Sequence, residues 1–249
     1  MPLELEHGDL EVRFPKPEAG LEQDEEWCEV NDDGEVRRIR FHDYAEIYSV
    51  PGLYERIFYD ALKCSSPQAV IGLLAEQLRA GEMLRAFDVG AGNGMVGEQL
   101  DQIGAELIVA VDIIPEAAEA AQRDRPGLYE AYHVVDLTDI PNELRTELEE
   151  RRFNCLITVA ALGFGDIPPE AFAAAYNLVD DGGWVAFNIK SRFLSEEDEG
   201  KTGFAELINR MFDDGTLELC EEREYRHRLS TSGEPLHYVA MVARKRKNV

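Results

Sequence analysis

The chain has 249 residues, enough for one large domain or a domain with an appendage, and its 50 acidic against 25 basic residues leave a net charge of −25. That balance argues against a broad surface for nucleic acid or anionic membrane, because phosphate binding needs a basic footprint. No apolar run approaches the roughly 18–20 residues of a membrane span, the first residues do not read as a secretion signal, and Cys28, Cys64, Cys155 and Cys220 show no paired spacing. Together these predict a cytoplasmic protein with reduced thiols.

Residues 1–35 hold thirteen acids and two bases, Arg13 and Lys16, with Pro15 and Pro17 among few apolar residues, which predicts a loosely packed acidic arm. Residues 36–66 change texture. Tyr44, Tyr48, Tyr54 and Tyr59 recur at offsets that suit one face of one or two short helices, broken near Pro51-Gly52. Ser66 and Pro67 then offer an N-cap and a first-turn proline for a helix carrying Val70, Ile71, Leu74 and Leu78. The remaining segment, 67–249, reads as one domain.

In that domain strands and helices alternate. Strands are expected at 84–89, 107–111, 132–135, 154–159 and 184–189, with Asp181-Gly182-Gly183 turning the chain into the last. Helices are expected at Met95–Ile103, from Pro115, at Pro141–Arg152 and at Pro169–Val179. Strands buried on both faces and spaced by helices predict a doubly wound parallel α/β sheet. A helix over 202–213 is followed by strands at 216–227 and 236–244, joined by a turn-rich STSGEP connection that predicts an antiparallel pair. The terminal RKRK, 244–247, reads as a solvated tail, and Arg223, Arg226 and Arg228 as strand-surface residues.

The chemical signal is AFDVGAGNGMVGEQL, residues 86–100, where a strand runs into Gly90, Gly92 and Gly94 and a helix begins. Glycines there let the backbone turn sharply and approach a ligand whose polar groups face helix N–H groups. Gly92, Gly94 and Gly97 also satisfy a dinucleotide GxGxxG, so the loop alone leaves a nicotinamide cofactor open. Asp88 disfavours that, since a carboxylate before the loop would repel a pyrophosphate and suit a cation. Asp112 ends the second strand where a carboxylate can accept ribose hydroxyls, and Asp136 ends the third, placed to accept from an exocyclic amine.

On DVGAGNG (88–94), Asp112, Asp136 and the DDGGWVAF approach to the fifth strand, the chain resembles the class I S-adenosylmethionine-dependent methyltransferases. YAEIYSVPGLY, NGMVGEQL, RPGLYE and VAALGFGDIP look like segments of the Williams–Beuren-type methyltransferase-like proteins. The resemblance implies a Rossmann-like seven-stranded sheet with an antiparallel final strand and an N-terminal helical cap. It implies that Asp88 holds the methionyl ammonium, that Gly90, Ala91 and Gly92 pass beneath that moiety, and that Asp112 binds the ribose diol. Ile113 would pack on the adenine, Asp136 would accept from its amine, and the Leu137 N–H and Ala160 would complete the cosubstrate-binding set. His42 and Tyr44 become candidates for catalysis, and Tyr44, Tyr48, Lys190 and Arg192 for the substrate side.

No NPPY-type segment follows the fourth strand, which disfavours amine methylation of adenine or glutamine, and no Asp/Asn set suggests a metal. The leading expectation is metal-free, in-line methyl transfer from S-adenosylmethionine to an acceptor, with a small molecule favoured over a protein. A non-catalytic S-adenosylmethionine-binding regulatory module and an NAD-dependent oxidoreductase are the alternatives.

Overall fold

A computed structural model describes residues 4–7, 10–16, 20–32, 34–162, 166–190 and 203–249. The chain divides into two compact units, residues 1–65 with 226–237, and residues 66–225 with 238–249.

In the first unit, β1 (Glu4–His7), β2 (Leu10–Arg13), β3 (Trp27–Asp32) and β4 (Glu35–Arg40) form an antiparallel sheet in chain order. The acidic segment is therefore not a loose arm, and the part of the chain ahead of the parallel sheet is not helical alone. The physical reason is a period of two hidden beneath the charge. Val12, Cys28, Val30 and Ile39 turn inward and are fully buried with Phe41, Ile47, Leu53, Ile57 and Leu62, while the acids take the alternate positions. Glu29 faces Arg38 in the strand register at 3.6 Å, and the Arg38 guanidinium lies 3.8 Å over the Trp27 ring.

Helices α1 (Tyr44–Ser49) and α2 (Leu53–Glu55) follow, the second continuing as a π-helical turn over Arg56–Ala61. Gly52, at φ 75°, makes the break that Pro51-Gly52 predicts. The i,i+4 spacing lines up the rings within each helix, and Tyr48 and Tyr54 meet across the break. Centroids are 6.3 Å apart for Tyr44–Tyr48, 4.8 Å for Tyr48–Tyr54 and 4.8 Å for Tyr54–Phe58. Arg228 is not a surface residue. Its guanidinium and the Glu26 carboxylate form a buried ion pair at 2.5 Å, and the second Glu26 oxygen accepts the Thr231 N–H at 2.6 Å.

The second unit opens with α3 (Ser66–Gln77). It then alternates as β5 (Arg85–Val89), α4 (Met95–Gln102), β6 (Leu107–Asp112), α5 (Pro115–Asp124) and β7 (Ala131–Val134). The order continues through α6 (Asn142–Glu150), β8 (Phe153–Thr158), α7 (Pro169–Asn177), β9 (Val179–Ile189) and α8 (Phe204–Asp213). Strands β10 (Leu217–Leu229) and β11 (Pro235–Lys245) complete a seven-stranded sheet in the order β10-β11-β9-β8-β5-β6-β7. Strands β5 to β9 pair in parallel and β11 runs antiparallel to β9, as the sequence predicts. Alternation sends Phe87, Val109, Leu156 and Phe187 into one core with α7 and α8. It sends Ala86, Ile108, Cys155 and Ile157 into the other with α3 and α4.

Two expectations are corrected here. The Asp181-Gly182-Gly183 stretch does not precede β9 but lies inside it as a bulge. The register moves from Phe153↔Val179 to Cys155↔Trp184, and Gly182 takes φ 81° to absorb the extra residues. The terminal RKRK is not a solvated tail, because β11 carries its first half into the sheet. Lys245 is buried, its ammonium donating to the carbonyls of Val179 at 2.5 Å and Tyr176 at 3.0 Å. The Arg244 guanidinium covers the Trp184 ring at 3.2 Å. At the free edge of the sheet, residues 218–224 of β10 are exposed on both faces.

Candidate functional site

The carboxyl ends of β5 and β6 bring the glycine loop and two of the three predicted acids together. Strand β5 ends at Val89 and the chain reverses at once. The N–H groups of Gly90 and Ala91 donate to the Val111 carbonyl at 2.9 and 3.2 Å. This stitches the loop to the neighbouring strand. Gly90, Gly92 and Gly94 take φ values of 70°, 55° and 92°, a conformation that glycine enters without the penalty of a Cβ. A Cβ at Gly90 would also stand 3.0 Å from that of Ala161 and 3.2 Å from the Ile167 side chain.

Asp112 closes the loop from β6. One carboxylate oxygen accepts the Gly92 N–H at 3.0 Å and the other accepts the Ile114 N–H at 3.0 Å. Burial pushes its carboxyl up, and the backbone donors pull the other way. Asp88, on the adjacent strand, is buried to 1% exposure. Its Oδ2 accepts the Tyr129 hydroxyl at 2.8 Å. Burial pushes its carboxyl up to about 7, the Tyr129 hydrogen bond opposes this, and the Asp112 charge adds to it.

Three buried side-chain polar atoms among the described residues have no hydrogen-bond partner: Asp88 Oδ1, Thr158 Oγ1 and His133 Nε2, the last 3.7 Å from Glu147. The first two stand at the carboxyl ends of β5 and β8, the edge of the sheet where ligands bind in open α/β folds.

The other predicted residues are placed as follows. Ile113 is 60% exposed immediately after β6, an unusual position for a large apolar side chain beside a polar loop. Asp136 is in solvent, where its Oδ1 accepts the N–H and hydroxyl of Thr138 at 2.8 and 2.7 Å. Those two bonds hold it below the usual carboxylate range. Leu137 turns into the core. Ala160 adopts φ 57°, and its N–H donates to Asn188 Oδ1 at 2.6 Å. Lys190 follows β9, and Arg192 lies outside the described residues. His42, Tyr44 and Tyr48 belong to the first unit, with ring centroids 5.8 Å apart for His42–Tyr44.

Sequence reasoning missed two residues. Tyr129 donates to Asp88, and Tyr132 donates to the Gly92 carbonyl at 2.8 Å. The Tyr-x-x-Tyr spacing at the start of a strand was the available signal, but nothing in it names the partners. Asn188 falls within the predicted fifth strand, where the sequence assigns it no role. It is fully buried, donating to the Tyr225 hydroxyl at 2.6 Å and to Ser66 Oγ at 3.3 Å. The Ser66 hydroxyl, at the start of α3, also bonds that of Tyr225 at 2.7 Å.

A five-strand parallel sheet with an antiparallel strand inserted at one end, and a glycine loop leading from its central strand to an acid on the next, defines the class I methyltransferase fold. Residues 87–187 match the family model of a methyltransferase domain. This segment is similar to S-adenosylmethionine-dependent methyltransferase domains. Over 132 residues the chain is 32% identical to the ubiquinone biosynthesis O-methyltransferase of Burkholderia ambifaria, covering 53% of this chain and 55% of that one. The counterpart in Burkholderia multivorans is also 32% identical over the same shares. The chain thus spans about half the length of the curated relatives it matches.

Among solved structures, the fold resembles the N-methyltransferase NodS of Bradyrhizobium japonicum, crystallised with S-adenosyl-L-homocysteine. The TM-score is 0.56 at 12% identity, over 83% of this chain and 98% of that one. It also resembles a TehB-like S-adenosylmethionine-dependent methyltransferase of Corynebacterium glutamicum, with a TM-score of 0.52 at 19% identity over 82% and 100% of the two chains.

Proposed function

We propose that this chain is an S-adenosylmethionine-dependent methyltransferase that binds its cosubstrate at the carboxyl edge of β5, β6 and β7 and methylates a small-molecule acceptor. The observation that carries the reading is Asp88 Oδ1, a fully buried carboxylate oxygen beside the glycine loop with no hydrogen-bond partner among the described residues. An anionic oxygen in that position suits a cationic ligand group, and leaving it unmatched is costly. When bound, S-adenosylmethionine supplies a methyl group already activated on a sulfonium, so the protein's own work is orientation and exclusion of water.

In this reading Asp88 holds the ammonium end, and the Gly90 backbone passes beneath it. Asp112 offers its remaining acceptor capacity to the ribose, and exposed Ile113 gives the adenine an apolar face. Asp136 accepts from the adenine amine, with Ala91, Gly92, Ala160 and the Leu137 N–H completing the cradle. The name of the Burkholderia relatives, O-methyltransferase, supports an oxygen acceptor on a small molecule. The charge of −25 supports an acceptor other than nucleic acid, and four cysteines outside any disulfide support a cytoplasmic setting.

The test is calorimetric titration of the full chain with S-adenosylmethionine and with S-adenosylhomocysteine, repeated on Asp112→Ala after its fold is verified. Micromolar binding that the variant loses is the expected result. No heat from protein freed of carried-over ligand would overturn the reading.

A further inference from the structure

Tyr129, just ahead of β7, and Tyr132, within it, both direct their hydroxyls at the glycine loop. Tyr129 donates to Asp88 Oδ2 and Tyr132 to the Gly92 carbonyl, each at 2.8 Å. Their rings meet edge to face with centroids 5.5 Å apart, so the two side chains act as one brace spanning the loop.

The helix after the loop is shaped around this brace. A Cβ at Gly97 would lie 2.6 Å from the Tyr129 hydroxyl, and one at Gly94 would lie 3.3 Å from its ring. Gly94 needs glycine for its backbone in any case, at φ 92°, but Gly97 stands inside α4 with no positive φ. A glycine inside a helix costs about 1 kcal/mol against alanine. Room for the Tyr129 side chain is the physical reason the described residues offer for it.

We propose that Tyr129 is a positioning residue for cosubstrate recognition: by tying Asp88 Oδ2 it fixes the carboxylate so that Oδ1 alone is presented to the cosubstrate's ammonium. Tyr132 supports the loop backbone and has no part in that presentation. The inference rests on the methyltransferase reading above and adds a residue to it.

The electrostatics supply a readout. The ionisable groups facing Asp88 are Asp112 on β6, Tyr129 and Tyr132 at β7, and Cys155 on β8. Burial pushes both phenols and the thiol well up, so they stay neutral around neutral pH and leave the two carboxylates to titrate. The Tyr129 hydrogen bond favours the charged form of Asp88. Removing it therefore raises the pH at which the carboxylate forms and at which an ammonium is bound.

The experiment titrates the full chain from pH 6 to 8 with two probes. One is S-adenosylhomocysteine, and the other is 5′-methylthioadenosine, which keeps the nucleoside and thioether but lacks the amino-acid end. Wild type should bind the first more tightly as pH rises, with a midpoint near 7. The second should bind with little pH dependence. Tyr129→Phe should weaken S-adenosylhomocysteine about tenfold at pH 7, move its midpoint upward, and leave methylthioadenosine within about twofold.

Tyr132→Phe should weaken both probes alike with the midpoint unmoved. In Asp88→Asn the midpoint should vanish, and adding Tyr129→Phe should then change nothing further. Should Tyr129→Phe fail to fold, the carboxyl ¹³C shift of Asp88 in the wild type takes its place. Titration near 7 that disappears on binding S-adenosylhomocysteine, and persists with methylthioadenosine, supports the proposal; titration indifferent to both ligands overturns it. Equal losses for both probes in Tyr129→Phe, or an unmoved midpoint, would overturn this inference alone. Binding of neither probe by the wild type would sink the methyltransferase reading and this one together.

Discussion

Replacing Asn188 with alanine removes a side chain that holds three elements of the second unit in register. Its Oδ1 accepts the N–H of Ala160 at 2.6 Å, and its Nδ2 donates to Tyr225 on β10 and Ser66 on α3. Ser66 and Tyr225 still bond each other at 2.7 Å without it. The main loss is therefore the Ala160 bond, together with the volume removed from a fully buried position. An unmade buried hydrogen bond costs about 1–3 kcal/mol and a small cavity adds to this, so a loss of about 2–4 kcal/mol is expected. For a chain of this size that lowers the melting temperature by roughly 5–12 °C.

The same bond holds Ala160 at φ 57°, a left-handed conformation that costs an alanine about 1–2 kcal/mol. Ala160→Gly should therefore be neutral or stabilising by up to about 1 kcal/mol. In the Asn188→Ala background it should change less, because the restraint is gone. Thermal and urea unfolding of the four proteins reads this coupling. An Asn188→Ala chain within about 0.5 kcal/mol of wild type, or an Ala160→Gly that costs what an ordinary loop substitution costs, would refute the argument.

Other substitutions probe the acids. Asp112→Ala should raise the dissociation constant of S-adenosylhomocysteine at least about a hundredfold by calorimetry, because the carboxylate also holds the Gly92 and Ile114 N–H groups in place. Burial pushes the Asp88 carboxyl up to about 7, well above the ordinary carboxylate range, so the folded state holds its proton more tightly. Its contribution to stability is full below pH about 4 and is lost as pH rises through about 7, a change on the order of 4 kcal/mol. Asp88→Asn should accordingly gain melting temperature over wild type between pH 5 and 8, and parallel curves would contradict this. In the first unit, Glu26→Gln leaves the Arg228 guanidinium buried without its counter-charge, and urea unfolding should show a loss of about 3–5 kcal/mol. Replacing both residues with methionine should cost far less.

Much of the second unit is legible because its strands are buried on both faces. Runs such as Leu107–Val111 carry a signal that neighbouring elements cannot invert, and glycines at positive φ mark the loop directly. The first unit is harder because its alternation has only two or three apolar members per strand. Val12, or Cys28 with Val30, is easily lost among acids that composition reads as solvation. The residues missed at the site share a different difficulty. Tyr129 lies 41 positions from Asp88 and Asn188 lies 28 from Ala160, so their roles exist only once parallel pairing has set strand ends side by side. Lys245 and Arg244 mislead for a third reason. A basic tetrapeptide reads as a tail unless one knows that the strand carrying it threads between two others, where an ammonium can satisfy buried carbonyls.

The exposed edge of β10 has a consequence for what the molecule avoids. A sheet whose last strand offers unpaired peptide groups invites another strand to extend it, and seven consecutive solvent-facing residues give ample length for that. Here the invitation is guarded by composition. Glu218, Glu222 and Glu224 share one face of the stretch, so two copies meeting along this edge would set acid against acid on that face. Like charge on that face disfavours an eighth strand from a second copy, a guard written in side chains where a covering helix would otherwise serve.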